Sequence, residues 1–104
     1  VKRYRVFRAL GRVWAIVIDG NKELPLPHLV KHSPDGFEYG YSGSGPSDLA
    51  RSILADFLDT DHPDPSAYIL LREAHIAKWT GDGPHLLSGA QIKEAIKEAI
   101  KEGS

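Results

Sequence analysis

Cysteine is absent from this sequence, and so is methionine. Without thiols there is no disulfide framework, no thiolate nucleophile and no zinc or iron–sulfur site built on cysteine. A reducing, cytoplasmic setting is the expectation that follows. Asn21 and Gln91 are the only side-chain amides, so the chain is poor in thermolabile residues, which points toward a thermophilic source. Long apolar runs are missing too. The longest, Val13 to Ile18, falls far short of the ~18 residues of a membrane span. No apolar run with a cleavage site opens the chain, so no signal peptide is expected. Charge of one sign does not dominate either: the net charge is -1, and no global field draws nucleic acid or an anionic membrane.

What is present fits a single domain over residues 1–104. Apolar residues make up 41% and charged residues 26% of the chain, the balance of a soluble globule with one core. The charges are unevenly placed. Lys2, Arg3, Arg5, Arg8 and Arg12 crowd the start, and Asp56, Asp59, Asp61 and Asp64 crowd the middle. These regions either pair in the fold or mark two faces.

Tyr4 to Ala9 reads as a strand of aromatic and β-branched residues, with Gly11 and Arg12 in a tight connection. Residues 13–18 are apolar on both faces and read as a central strand. Asp19-Gly20-Asn21 is a turn. Leu24-Pro25-Leu26-Pro27 excludes helix. Ser33-Pro34-Asp35-Gly36 is a second turn, and Phe37 to Tyr41 alternates like a third strand. A helix over 46–58 follows, with Pro46 at its first position, Asp48 complementing its dipole, and an apolar stripe from Leu49 to Leu58. Residues 59–66 are a polar loop. Residues 67–79 read as helix, with a strand at 68–71 as the competing reading. Residues 80–84 break the chain. Ser88 and Gln91 form a capping box for a last helix, with Leu87 and Ile92 as its hydrophobic staple. The fold class is α+β: a small antiparallel sheet of about three strands with two or three helices packed on one face.

The segment His32-Ser33-Pro34-Asp35-Gly36-Phe37-Glu38-Tyr39-Gly40-Tyr41-Ser42-Gly43-Ser44-Gly45-Pro46 resembles a family of small bacterial, archaeal and phage proteins classed as a domain of unknown function. That family carries H-S-P-x-G-F-x-W-G-Y-x-G-S-G-P before an apolar helix, and Leu49 and Ala50 continue the match. Tyr39 stands where the family usually has Trp, which keeps a ring but offers no indole N–H. The resemblance implies a shared fold and a candidate site at this block, and it implies no activity.

Candidate sites follow from residue types. His32, Ser33, Tyr39, Tyr41, Gly43, Ser44 and Gly45 form an aromatic, glycine-rich block suited to recognition, and a protein partner is the leading expectation. A small anionic ligand at the helix N-terminus after Gly45 is the alternative, because free N–H groups and the dipole favour phosphate there. The block lacks the Gly-Lys-Ser/Thr of a P-loop. Lys2, Arg3, Arg5 and Arg8, interleaved with Tyr4 and Phe7, are the candidate nucleic-acid contacts. The bland alternative is a charged edge strand that resists aggregation, so nucleic acid ranks below the other partners. His28 and His32 have metal-ligand spacing only on a helix, which the prolines exclude. Asp59, Asp61 and Asp64 with His62 miss the calcium-loop pattern and read as a solvated loop. No catalytic residue, cofactor, metal or membrane contact is expected. The best reading is a non-catalytic accessory or interaction module.

Overall fold

A two-residue turn starts the architecture. Leu10 (φ 55) and Gly11 (φ 73) both take left-handed backbone, the geometry that matches the twist of a tight hairpin. The turn joins β1 (Lys2–Ala9) to β2 (Arg12–Asp19) and fixes an antiparallel register from Ala9↔Arg12 to Lys2↔Asp19. Arg12 therefore begins the second strand instead of lying in the connection. The computed structural model describes residues 1–29, 33 and 36–103.

The turn at Gly20 and Asn21 leads into β3 (Lys22–Pro25), which pairs antiparallel with β2. Pro25 removes a donor, which is tolerated because β3 is an edge strand. On the other side β4 (His85–Leu87) pairs with β1. The sheet order is β3-β2-β1-β4. Two expectations are corrected here. Residues 37–41 form no strand: they run as coil, with Gly40 at φ 91. The basic strand is interior, flanked by β2 and β4, so it is no charged edge.

Helix α1 (Ser44–Leu58) begins earlier than Pro46, with Gly43 in extended backbone as its N-cap. Pro46 still sits among the first helical residues, where its missing N–H leaves no intrahelical bond unmade. The loop after α1 ends at Asp64, whose carboxylate accepts from the Ser66 amide (3.0 Å) and caps α2 (Pro65–Ala74). A short 3₁₀ turn, Ile76–Lys78, completes the segment predicted as one helix, and the competing strand at 68–71 is excluded. Helix α3 (Gly89–Gly103) carries the predicted capping box: the Ser88 amide donates to Gln91 Oε1 (2.9 Å) and the Gln91 amide to Ser88 Oγ (3.2 Å). Leu87 and Ile92, the staple pair, are both fully buried.

Successive strand residues face opposite sides. Tyr4 and Val6 of β1 and Val13, Ala15 and Val17 of β2 point into one core with Leu49, Ile53, Leu71, Ile76 and Ile92 from the helical layer. The helices thus cover one face of the sheet. Phe7, Trp14 and Ile16 do not belong to that core, and they are only half-buried.

Candidate functional site

The glycine-rich block is built into the fold by close packing. Tyr39 is buried, and its hydroxyl donates to the Gly81 carbonyl at 2.6 Å. Its ring meets the edges of His85 (4.8 Å) and Trp79 (5.9 Å), which stack on each other at 5.0 Å. Arg8 lies over the same ring at 5.1 Å and holds Glu38 by two hydrogen bonds of 2.7 and 3.3 Å. That guanidinium draws the Glu38 carboxyl below its ordinary range, and the Tyr39 amide assists. The Gly40 amide donates to the Ile76 carbonyl (3.0 Å), and a Cβ on Gly40 would press on the Trp79 carbonyl. The segment 37–40 is therefore a clamp between β1, the 3₁₀ turn and the approach to β4.

The described residues of the candidate block differ in exposure. Ser33 and Gly45 are buried, Gly43 is half-buried, and Tyr41 and Ser44 are exposed. His32 lies outside the described residues. A Cβ on Gly45 would sit 2.7 Å from Glu38 Cβ. The head of α1 thus packs closely against Glu38, with no room for a side chain at position 45.

Asp48 corrects the dipole expectation. Its side chain turns inward, is 1% exposed, accepts from the Ser33 amide at 2.9 Å and lies 2.9 Å from His28 Nε2. The His28 ring stacks on Phe37 at 4.3 Å. One turn on, Ser52 Oγ accepts from the Leu29 amide (3.4 Å). Two polar side chains of α1 thereby tie down the chain on either side of residues 30–32. Sequence reading missed this pair, because Asp48 looked like an ordinary first-turn acid. The signal was its position among Leu49, Ser52 and Ile53 on the inward stripe.

The basic strand divides its cations between two faces. On the helix side, Lys2 Nζ reaches Asp56 Oδ2 at 3.2 Å, and the Tyr4 hydroxyl donates to the same carboxylate at 2.7 Å. Burial and that hydrogen bond push the Tyr4 phenol well above its usual range. The basic start and the acidic middle thus meet through Lys2 and Asp56. Arg8, on the same side, goes to Glu38. Arg3 and Arg5 stand on the opposite face with Phe7. In register, Phe7 lies directly across from Trp14, Arg5 from Ile16 and Arg3 from Ile18. Trp14 Nε1 donates to the Ala9 carbonyl (2.9 Å), and the Arg12 guanidinium lies over its ring at 4.6 Å. Arg5 pairs with Glu23 of β3. Sequence reading named Arg3 and Arg5 and missed Arg12 and Trp14.

A groove of about 500 Å³ runs between residues 27–29 and the end of α1, rimmed by Asp56, Asp59 and Asp61. Asp56 is engaged by Lys2 and Tyr4, and Asp64 is spent on its helix cap. Among the described residues no group of three or more His, Cys, Asp or Glu is arranged to hold a metal ion. No helix among them is long and apolar enough to cross a membrane.

A four-stranded antiparallel sheet with helices on one face and an aromatic, arginine-bearing opposite face defines a two-layer α+β fold. Residues 4–98 match the model of a family of unknown function, DUF6166, and the chain belongs to that family. No curated protein and no solved structure matches the chain.

Proposed function

We propose that this chain is a small, non-catalytic binding module that works through the open face of its sheet. The observation that carries the reading is the Phe7–Trp14 pair, set side by side on the two interior strands and outside the core. Neighbouring apolar side chains left open on a rigid sheet and rimmed by charged residues support an interaction surface. Arginine and tryptophan are also the residue types that dominate binding energies. The 32–48 block contributes to the module in another way. It clamps the sheet through Arg8, Glu38 and Tyr39, and it leaves Tyr41 and Ser44 at the surface.

Trp14 itself supplies the assay. Trp79→Phe leaves one indole as a fluorescent reporter and keeps a ring against His85. A panel of oligonucleotides, acidic peptides and nucleotides is titrated into this variant, with ¹⁵N amide shifts recorded in parallel. The expected result is a Trp14 response with shifts confined to β1 and β2. A panel member that binds while shifting only residues 36–48 would return the contact surface to the glycine-rich block and sink this reading.

A further inference from the structure

Resting on that reading, we propose that the occupant of the open sheet face is a single-stranded nucleic acid. Residues directly opposite each other across antiparallel strands stand about 5 Å apart. Phe7 and Trp14 therefore present two neighbouring rings on the interior strands. Bases of a single strand stack on exposed aromatic rings whatever their identity, because every base has a π face. Arg12, lying on the Trp14 ring, adds a flat guanidinium that can stack with a base or fork onto a phosphate.

Charge selects this occupant over the others. The strand residues on this face carry Arg3, Arg5 and Arg12 against a single carboxylate, Glu23, which is already paired with Arg5. The face is thus positive on a chain whose net charge is -1. The contrast with the helix side is informative. There Lys2 and Arg8 are each matched by a carboxylate, whereas no described carboxylate pairs with Arg3 or Arg12. A second copy docked face to face would set these arginines against their own duplicates. A duplex keeps its bases stacked on one another and offers the rings nothing to stack on.

The test is fluorescence anisotropy with a labelled single strand of about 12 nucleotides, its duplex, and an acidic peptide. The expected result is single-strand binding at about 50 mM salt, with a log–log salt slope near -2 if the three arginines each meet a phosphate. Arg3→Gln or Arg12→Gln should each flatten that slope by about 0.7. Phe7→Ala should weaken binding about 5- to 150-fold, the worth of one stacked base. Circular dichroism checks that each variant folds, and the two arginine variants carry the test if Phe7→Ala does not. Equal affinity for the duplex overturns the stacking assignment. Unchanged binding in both arginine variants and in Phe7→Ala overturns it by placing the site elsewhere. No oligonucleotide binding alongside sheet-face shifts with the acidic peptide overturns the nucleic-acid assignment and leaves the binding module standing. Silence of that face toward every probe removes both.

Discussion

Replacing Gly45 by alanine separates a packing role for the glycine-rich block from a ligand-binding one. The added Cβ would lie 2.7 Å from Glu38 Cβ, 3.2 Å from its Cγ and 3.4 Å from its amide nitrogen. The first of these distances is about 1 Å inside ordinary carbon–carbon contact. The obstructing atom is the root of a side chain, so no rotamer change at Glu38 removes it. Either the head of α1 or the segment around Glu38 must shift, and the second movement pulls on the Arg8 pair. Overpacking of this kind costs about 1–3 kcal/mol. Alanine recovers up to about 1 kcal/mol of helix propensity, and less near the helix end. The expected net loss is about 1–2 kcal/mol, or a fall in Tm on the order of 5–15 °C for a domain of this size. Urea unfolding followed by tryptophan fluorescence measures it. Gly103→Ala, where nothing lies within 4 Å, is the matched control and should change little. A Gly45→Ala protein within about 0.5 kcal/mol of the parent would refute the packing argument and reopen the head of α1 as a ligand site.

Three further substitutions test the local arguments. Leu10 holds left-handed backbone at φ 55 while 91% exposed, so Leu10→Asn should stabilise by about 1 kcal/mol in urea unfolding; no gain would mean the turn is unstrained. Glu38 titrates below its ordinary range because Arg8 hydrogen-bonds its charged form. A depressed carboxyl contributes stability above its unfolded pKa and loses it as pH falls through the folded one. The deficit of Glu38→Gln against the parent should therefore be full at neutral pH and shrink below about pH 4; parallel stability–pH curves would contradict this. Asp48→Ala removes the acceptor of the Ser33 amide and the partner of His28. It should cost about 3 kcal/mol and speed hydrogen exchange at Ser33; unchanged exchange there would show that Asp48 does not hold the Ser33 amide.

What the sequence made legible follows the range of the forces involved. The hairpin, the turn at Gly20, the cap at Ser88 and the α1 stripe are set within a few residues, and all appear near their predicted places. The two edge strands were illegible for opposite reasons. Pro25 masked β3, and β4 has only three residues, too few to show a period. Phe37 to Tyr41 alternates convincingly, yet contacts outside any sheet ladder hold it: Tyr39 on Gly81, Glu38 on Arg8 and the Gly40 amide on Ile76. Asp48 was misplaced because an acid near a helix start has a common local explanation, which outweighs its place on the inward stripe; its partners His28 and Ser33 come from outside the helix.

The open face shows most sharply where local reading stops. Period-two alternation already sets Arg3, Arg5 and Phe7 on one side of β1. Their neighbours across the hairpin depend on register, and register depends on the turn. With Leu10 and Gly11 as the whole loop, Arg12 joins β2 and Trp14 comes to lie across from Phe7. A slip of one residue would carry Trp14 and Arg12 to the buried face. A two-residue turn that tolerates leucine at positive φ is thus what brings Phe7 and Trp14 side by side on one face. The Leu10→Asn substitution, which preserves that turn, should stabilise the fold and leave the binding face intact.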